Sequence, residues 1–456
     1  MANGLILTDE EKDMLEGRQG PGMRKAMEMV VALGRIYGAR RLVPVASAQV
    51  SGVSFKNLGE AGLAFLQEWG EQGARARVPA TLNPAGMDLQ RWEELGIPRE
   101  FAGRQQEVIR AFERLGIQPV LTCAPYLIAP WPARGSHLAW AESSAVAFAN
   151  SVAGARTNRE GGPSALAAAV VGRTAAYGLH LEENRRATVQ VRVQTPLRDE
   201  ADFGALGIWV GRQVGQGVPV FVDLAEQEFC HEGYKGEEGQ RQRGNEVTSA
   251  RDQAVSRLAR PDSLSRSPVA SSLAPARWVD LLRTLGAAMA ASGAVALFHV
   301  LGLTPEVADE PALGRARECL VVTSLDEAYA LLNTPVEEID LVSIGCPHAS
   351  LEEIGLVAQA VAGRRLATRL WVTTARATRQ EAAGQGWVQT IEEAGGHVLA
   401  DTCTVVAPIQ ALGIRTLATN AAKTAFYAPA HSGVAVRFGN LAKCVEAALT
   451  GRWPGG

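Results

Sequence analysis

Three cysteines each close a short apolar run of the chain. Cys123 closes QPVLTC, Cys346 closes DLVSIGC and Cys403 closes HVLADTC. Such runs predict buried β-strands, and open α/β sheets bind ligands beyond the carboxyl ends of their strands. Three thiolates at that edge suit an iron–sulfur cluster or a single iron, with a coordination position left for substrate. The alternative is a set of small buried side chains, because free cysteine is often a core residue and no C-x-x-C spacing occurs.

Polar residues occupy equivalent positions after other predicted strands. Ser47 closes the run RLVPVAS, Asn83 follows ARVPATL, and Lys423 lies a few residues after TLATN. We therefore expect these side chains to gather with the three cysteines at the carboxyl edge of a sheet. The other cysteines lack this placement: Cys230, Cys319 and Cys444.

Two histidines allow more than one interpretation. His348 lies two residues after Cys346, which would permit a thiol–imidazole nucleophile. Neighbours at a strand–helix turn usually point in different directions, so we expect His348 to support the helix that follows. His299 lies inside the apolar run AVALFHV, where we expect a hydrogen-bonded core residue rather than a metal ligand.

The densest polar stretch runs from residue 142 to residue 183. Within it, Arg156, Asn158 and Arg159 precede a Gly161-Gly162 turn. Arginine binds carboxylate or phosphate through paired hydrogen bonds, so this segment predicts an anion-binding site. A solvated loop between two helices is the alternative.

Helix-like and strand-like segments alternate along both halves of the chain. This rhythm indicates βα units and an α/β fold with mainly parallel sheets. We predict an N-terminal α/β lobe over 1–229 and one or more C-terminal α/β lobes over 278–456. Between them, 230–277 is rich in Ser, Arg and Gly with few large apolar side chains, which predicts a flexible insertion.

The bulk composition restricts the class of protein. Hydrophobic residues make up 47% of the 456 residues, charged residues make up 20%, and the formal net charge is -3. Nothing in these values indicates a nucleic-acid or membrane partner. The uncharged stretch 284–305 divides at Gly293 into a small-residue helix and a β-rich run, which favours a buried helix–strand pair over a membrane span. The acidic start and the scattered cysteines favour a cytoplasmic protein.

Motifs over nearly the whole chain outside 230–277 resemble those of the aconitase X family. The matching motifs are LNPAGMDL, TCAPYL, WAESSAVAFANSVAGARTNREGGPS, YGLHLEENR, HVLGLTPE, IGCPHASLEE, ADTC and TNAAK. The resemblance implies a multi-lobed, aconitase-like fold and a hydro-lyase that dehydrates mevalonate 5-phosphate or cis-3-hydroxy-L-proline. It also implies a cofactor, which is an iron–sulfur cluster of the 4Fe-4S or 2Fe-2S type or a mononuclear iron.

The resemblance assigns roles to individual residues. The metal ligands of the family fall on Cys123, Cys346 and Cys403. The substrate-contacting residues of the family fall on Ser47, Ala48, Gln49, Asn83, Pro84, Ser143, Ser144 and Lys423. In the implied mechanism iron is a Lewis acid for the departing hydroxyl, and Arg159, Lys423 or neighbouring amides hold the substrate carboxylate. We predict Lys423 as the catalytic residue, with a structural pairing role as the alternative.

Four positions depart from the family pattern. Gln49 stands where the family often has His, Ala80 and Ala124 where it has Thr, and Ala421 where it has Ser. Because Gln49 and Ala421 fall in the expected substrate loops, a non-catalytic paralogue that binds metal or ligand is one alternative function. An electron-transfer protein is another, although it would require a fourth well-placed thiolate.

No Ser-rich glycine loop accompanies these motifs. In the aconitase superfamily such a loop lies on a mobile small domain and presents the serine that removes the substrate proton. We therefore predict that this chain lacks the small swivelling domain and that a separate small subunit supplies the catalytic serine. The run SGVSFKNLGEAG is closer to the mevalonate-phosphate branch, which favours mevalonate 5-phosphate over cis-3-hydroxy-L-proline.

Overall fold

The computed structural model describes residues 4–226, 275–307 and 318–455. The α-helices within these residues are α1 (Asp9–Leu15), α2 (Pro21–Ile36), α3 (Phe55–Glu71), α4 (Arg99–Arg114), α5 (Ser143–Ser151), α6 (Gly162–Val171), α7 (Glu200–Val214), α8 (Pro275–Gly293), α9 (Asp326–Leu332), α10 (Leu351–Val361), α11 (Arg376–Gly384), α12 (Trp387–Ala394), α13 (Ala422–Ser432) and α14 (Leu441–Thr450). The strands are β1 (Leu42–Pro44), β2 (Ala48–Val50), β3 (Ala80–Leu82), β4 (Ala139–Trp140), β5 (Arg173–Ala175), β6 (Val189–Val193), β7 (Pro219–Phe221), β8 (His299–Val300), β9 (Glu318–Val322), β10 (Leu341–Ile344), β11 (Arg369–Thr374), β12 (His397–Ala400), β13 (Thr416–Thr419) and β14 (Ala435–Phe438).

Three of the four sheets are parallel throughout. The five-stranded sheet has the order β12-β11-β10-β13-β14, the four-stranded sheet β8-β7-β6-β9, and the three-stranded sheet β3-β2-β4. The remaining pair, β1 and β5, is antiparallel. The predicted α/β fold with mainly parallel sheets is confirmed.

Local sequence explains where several helices begin. Thr8 and Glu11 form a capping box at the start of α1, in which each side chain accepts a hydrogen bond from the backbone of the other. The Ser350 side chain caps α10 by accepting from the Glu353 amide. Asp199 caps α7 in the same way and also places a negative charge at the positive end of the helix dipole.

Close approach of α7 and α8 requires small residues. A Cβ at Gly293 would lie 1.8 Å from the Gly211 carbonyl oxygen, and one at Gly207 would lie 2.6 Å from Ala288 Cβ. The predicted helix–strand pair over 284–305 is present, because α8 ends at Gly293 and β8 follows it. His299 in β8 is buried and bonded to the Arg185 carbonyl oxygen at 2.8 Å, as expected for a core histidine. No helix within the described ranges has the length and apolar character needed to cross a bilayer.

Two predicted strands differ from the observed ones. The run 41–47 contains only β1, and Ser47 comes after its end and before β2. The run 118–123 forms no strand and makes a single parallel bridge, between Leu121 and Leu82 at the end of β3. Cys123 is therefore placed by this bridge rather than by a strand of its own.

The predicted insertion 230–277 lies outside the described residues, except for its last three positions, at which α8 begins. Cys230 lies outside them as well. The lobe boundaries 1–229 and 278–456 stay predictions.

Candidate active site

The carboxyl edges of two parallel sheets meet at the candidate site. In the three-stranded sheet, Asn83 directly follows β3 and Glu142 lies two residues after β4. In the five-stranded sheet, Cys346 lies two residues after β10 and Lys423 lies at the start of α13, which follows β13. The Lys423 amine bonds to the Glu142 carboxylate and so joins the two sheets. This is the position at which α/β sheets bind ligands.

The three predicted metal ligands form one interacting group. Interaction between the thiols lowers the pKa of Cys346 and raises that of Cys403. Burial raises the pKa of Cys123 to about 12, and the nearby charges of Glu142 and Cys346 act in the same direction. Cys123 and Cys403 are buried, whereas Cys346 is partly exposed. The group therefore opens to solvent at Cys346.

The other described cysteines lie elsewhere. Cys319 is exposed on β9, and Cys444 is buried in the core beside the five-stranded sheet, where its thiol is 3.9 Å from the Gly439 carbonyl oxygen. Neither interacts with the three-cysteine group, and this separation agrees with the division predicted from the strand pattern.

A single buried histidine connects the loops that carry all three cysteines. His348 Nε2 lies 2.9 Å from the Thr402 carbonyl oxygen, so this nitrogen carries the proton and donates. The other nitrogen then accepts from the Thr122 hydroxyl at 3.0 Å, and the His348 backbone amide donates to Cys123 Sγ at 3.1 Å. Burial lowers the pKa of His348 to about 4, which keeps the imidazole neutral. Both ring nitrogens are occupied, so a thiol–imidazole nucleophile with Cys346 is not formed.

The loop that carries Cys403 is fixed by a charged network. Asp401 has a φ of 64°, in the left-handed region that residues other than glycine rarely adopt. Arg376 Nε donates to the Asp401 carboxylate at 3.0 Å, and its terminal nitrogen donates to buried Asp88 at 3.0 Å. Asp88 also accepts from the Ala400 amide at 2.9 Å, and the Ala85 amide donates to the Asp401 carbonyl oxygen at 2.7 Å. The LNPAGMDL segment therefore holds the Cys403 loop in place.

Glu142 is the centre of the polar half of the site. Its carboxylate accepts from Asn83 Nδ2 at 2.7 Å and from Lys423. The hydroxyls of Ser143 and Ser144 each lie 3.3 Å from the same carboxylate, and Lys423 also donates to the Ser143 hydroxyl at 3.1 Å. Glu142, which the sequence did not predict, thus brings together four residues that were predicted as substrate-contacting or catalytic. They are Asn83, Ser143, Ser144 and Lys423.

This group is an ion pair at neutral pH. Burial would raise the pKa of the Glu142 carboxyl, but the charge and hydrogen bond of Lys423 outweigh it and lower the pKa to about 2. Burial would lower the pKa of Lys423, but the charge of Glu142 and its hydrogen bond outweigh that effect and raise it. Glu142 is therefore a hydrogen-bond acceptor here and not a proton donor.

Two buried amide oxygens at the site have no hydrogen-bond partner. They are Gln49 Oε1 and Asn83 Oδ1. The Gln49 amide nitrogen donates to the Thr122 carbonyl oxygen at 3.1 Å, which places Gln49 beside the Cys123 loop. A buried polar atom without a partner costs about 1–3 kcal/mol, so both oxygens are suited to receive a hydrogen bond from a ligand or a bound water.

Ser47 and Ala48 do not lie at the carboxyl end of a strand. Both are at the amino end of β2, and the Ser47 hydroxyl accepts from Trp140 Nε1 at 3.0 Å. The strand placement predicted for Ser47 is wrong, because the apolar run 41–47 belongs to a separate antiparallel pair. Pro84 is buried directly after Asn83.

The predicted anion-binding segment is largely occupied by internal contacts. Arg156 pairs with Glu182, and the Asn158 side chain bonds to the backbone at Tyr177 and Leu179. Arg159 is exposed and donates to the carbonyl oxygen of Ala290 in α8 at 3.4 Å. Among the contacts of the described residues, none joins Arg159 to Glu142 or to the cysteines.

The donor set fits the predicted iron cofactor in its chemistry. Three thiols interact with one another at the edge of the site, and cysteine thiolates are the ligands that hold iron–sulfur clusters. The positive charge of Lys423 acts on Cys123 and Cys346 and favours their thiolate forms. Within the described ranges, no three His, Cys, Asp or Glu side chains are already gathered as a site for a single metal ion.

Models of three domains of one protein family match most of the chain. Models of the aconitase X first, second and third domains match residues 4–183, 262–328 and 339–450. The chain belongs to the aconitase X family. The resemblance carried by the sequence motifs is confirmed.

Curated relatives and a solved structure agree with this membership. The phosphomevalonate dehydratase large subunit of Methanothermobacter thermautotrophicus is 44% identical over 94% of this chain and 95% of that protein. Cis-3-hydroxy-L-proline dehydratase of Pseudomonas aeruginosa is 35% identical over 98% of this chain and 70% of that protein. The holo-form crystal structure of Thermococcus kodakaraensis aconitase X is 39% identical, with a TM-score of 0.80 over 97% of this chain and 100% of that chain. The predicted aconitase-like fold and the predicted dehydratase class of lyase are confirmed.

Sequence analysis of this aconitase X chain missed Glu142. The residue lies inside the WAESSA motif, immediately before Ser143, and it caps α5 by accepting from the Ser144 amide. An acidic residue before two serines reads as an ordinary helix cap. The burial of Lys423 requires a partner carboxylate, but that burial is known only from the structure, so the sequence carried no signal for the pair.

Proposed function

We propose that this aconitase X chain is the large subunit of an enzyme that dehydrates mevalonate 5-phosphate. The observation that carries the proposal is the convergence of three cysteines with a buried Lys423–Glu142 ion pair at one sheet edge. The relative that is 44% identical over nearly the full length of both chains is named a phosphomevalonate dehydratase large subunit, which supports this substrate.

Cys123, Cys346 and Cys403 would hold the iron, either as a 4Fe-4S or 2Fe-2S cluster or as a mononuclear centre. When bound, iron supplies Lewis-acid assistance to the departing hydroxyl. The partial exposure of Cys346 supports access of a small hydroxy acid to that side of the thiol group.

The polar residues of the chain bind and orient the substrate. Lys423 carries a positive charge next to the thiols and is the group suited to a substrate carboxylate. Glu142 is ionised, so it holds Lys423, Asn83 and the two serine hydroxyls in position rather than moving a proton. The unpartnered oxygen of Asn83 is free to accept from a substrate hydroxyl. Ser47, Ala48, Gln49, Pro84 and Arg159 complete the proposed substrate-binding set.

A separate small subunit would supply the serine that removes the substrate proton. Relatives named large subunits are matched over nearly their full length, whereas the cis-3-hydroxy-L-proline dehydratase extends well beyond the region matched by this chain. This difference supports an enzyme of two components. The free thiols of the described cysteines support a cytoplasmic location, where cysteines stay reduced.

Dehydration of cis-3-hydroxy-L-proline is the second candidate. The observation that favours it is the 35% identity to the Pseudomonas aeruginosa enzyme over 98% of this chain. An amino acid carries no phosphate, so the two substrates place different demands on the cations of the site.

The test is turnover by the iron-loaded chain combined with the small subunit from its own source, with each substrate separately. We expect dehydration of mevalonate 5-phosphate and little of cis-3-hydroxy-L-proline. Turnover of the hydroxyproline alone would reverse the order of the two candidates. Turnover of neither, from a combination that binds iron fully, would favour a non-catalytic paralogue.

A further inference from the structure

Lys56 is a second cation near the thiols, and it lacks a carboxylate partner among the described residues. The side chain is half-buried on the first turn of α3, and burial lowers its pKa. Its amine donates only to neutral oxygens, the Ala407 carbonyl at 3.4 Å and the Ser432 hydroxyl at 3.3 Å. The first of these contacts places the amine beside the Cys403 loop, because Ala407 lies four residues after Cys403. A lysine that gives up part of its hydration without an anion is ready to receive one.

The segment that carries Lys56 borders the site described above. It follows the carboxyl end of β2, where the Asn83 amide donates to the Val50 carbonyl oxygen at 2.9 Å. Ser54, immediately before α3, donates through its hydroxyl to the Val406 carbonyl oxygen at 3.0 Å. The start of α3 is thus attached both to the Asn83 loop and to the Cys403 loop.

Lys56 and Lys423 serve different parts of the site. Lys423 bonds to Glu142 and Ser143, whereas Lys56 bonds to Ala407 in the Cys403 loop. Ser432, which Lys56 contacts, lies nine residues after Lys423 in α13, which corresponds to roughly 13 Å along the helix axis. Two cations at different places in the site would suit a substrate with an anionic group at each end.

We propose that Lys56 binds the phosphate group of a phosphorylated hydroxy acid whose carboxylate end lies at the Lys423–Glu142 pair. The inference rests on the proposed function, because cis-3-hydroxy-L-proline has no group for this cation. It makes Lys56 a specificity-determining residue that acts in binding and not in the chemical step.

Lys56→Gln and Lys56→Arg test the inference in the iron-loaded chain combined with its small subunit. Removing one charged hydrogen-bond donor should raise KM for mevalonate 5-phosphate about 10- to 100-fold while kcat changes less than about threefold. Inhibition by inorganic phosphate should weaken by a similar factor, and Lys56→Arg should restore most of both values. Lys25→Gln is the matched control and should leave both values unchanged. Lys25 lies on α2 and pairs with Glu68 of α3.

The outcomes separate the inference from the function on which it rests. An unchanged KM in Lys56→Gln, with normal turnover of mevalonate 5-phosphate by the unaltered enzyme, would overturn the role of Lys56 alone. A fall in kcat with unchanged KM and reduced iron content would overturn it too, since Lys56 would then serve the Cys403 loop. If the unaltered enzyme acts only on cis-3-hydroxy-L-proline, both proposals fail.

Discussion

At the scale of single residues, the Lys423–Glu142 pair controls the polar half of the site. Both side chains are largely buried, and each is the main opposite charge for the other. Breaking a buried ion pair leaves one charge without compensation, which typically costs about 3–5 kcal/mol, whereas removing both charges costs much less. Removing one charge of this pair should therefore lower the free energy of unfolding more than removing one charge of a surface ion pair would.

Glu142→Gln and Lys423→Met should each lower the free energy of unfolding of the metal-free chain by about 3–5 kcal/mol. The double variant should lose less than the sum of the two, because no unpaired charge remains. Urea unfolding of the three variants measures this coupling, and strictly additive losses would contradict it. All three should lose turnover, since Lys423 is the proposed carboxylate-binding cation.

Iron binding should depend on the three grouped thiols and not on the others. Replacing Cys346 by Ser would remove a proposed thiolate ligand while leaving the fold intact, because the position is partly exposed. We expect loss of bound iron and of its visible absorption in Cys346→Ser. The exposed Cys319→Ser variant is the control and should keep full iron content. Full iron retention in Cys346→Ser would contradict the ligand assignment.

At the scale of elements, the cysteines are positioned by loops that hold each other. Cys123, Cys346 and Cys403 come from three separate loops, and His348 bonds to the first and last of these. The Asp401–Arg376–Asp88 network fixes the last loop against the LNPAGMDL segment. Residues that orient metal ligands typically change metal affinity about 10- to 100-fold when altered.

Thr122→Val tests the His348 connection without touching a thiol. The variant removes the hydroxyl that donates to His348 Nδ1 and that accepts from the Ala124 amide. We expect iron to be lost to a chelator about 10- to 100-fold more readily, with only a small change in thermal stability of the metal-free chain. Thr122→Ser keeps the hydroxyl and should behave like the unaltered chain. Equal chelator resistance in Thr122→Val would argue that the loops hold their positions without this bond.

At the scale of the whole molecule, the site lies between two sheets that the chain makes far apart in sequence. The three-stranded sheet comes from residues before 141, and the five-stranded sheet from residues after 340. Their carboxyl edges meet near Cys346, which is partly exposed, and the proposed small subunit would cover this side of the thiol group. Closure excludes water and completes the catalytic group in enzymes that assemble their site on binding.

The iron-loaded chain alone should bind substrate and turn it over barely above background. General-base assistance is worth about 10²–10⁴-fold in rate, and the proposed base belongs to the small subunit. Adding the small subunit should raise the rate by this factor, as measured by initial rates at saturating substrate. Full activity of the isolated chain would contradict the two-component proposal. If the isolated chain were fully active and deletion of 230–277 abolished that activity, we would assign the base to the insertion.

The sequence by itself determined the fold class and the family, and it predicted most residues of the candidate site. Alternating helix and strand signals predict parallel sheets, because these patterns depend on local spacing of apolar residues. Asn83, Cys346, Cys403 and Lys423 were predicted to follow the carboxyl ends of strands. They do so because the apolar runs before them form the regular strands β3, β10, β12 and β13. The same prediction failed for Ser47 because an apolar run does not reveal which sheet a strand joins.

Only the tertiary structure decided which side chains share a charge or a hydrogen bond. Glu142 and Lys423 are separated by 281 positions, and nothing local in either segment specifies the other. The same holds for His348 with Thr122 and Thr402, and for Lys56 with the Cys403 loop. These contacts depend on how two sheets meet, and that is fixed by the packing of the whole core rather than by any single segment.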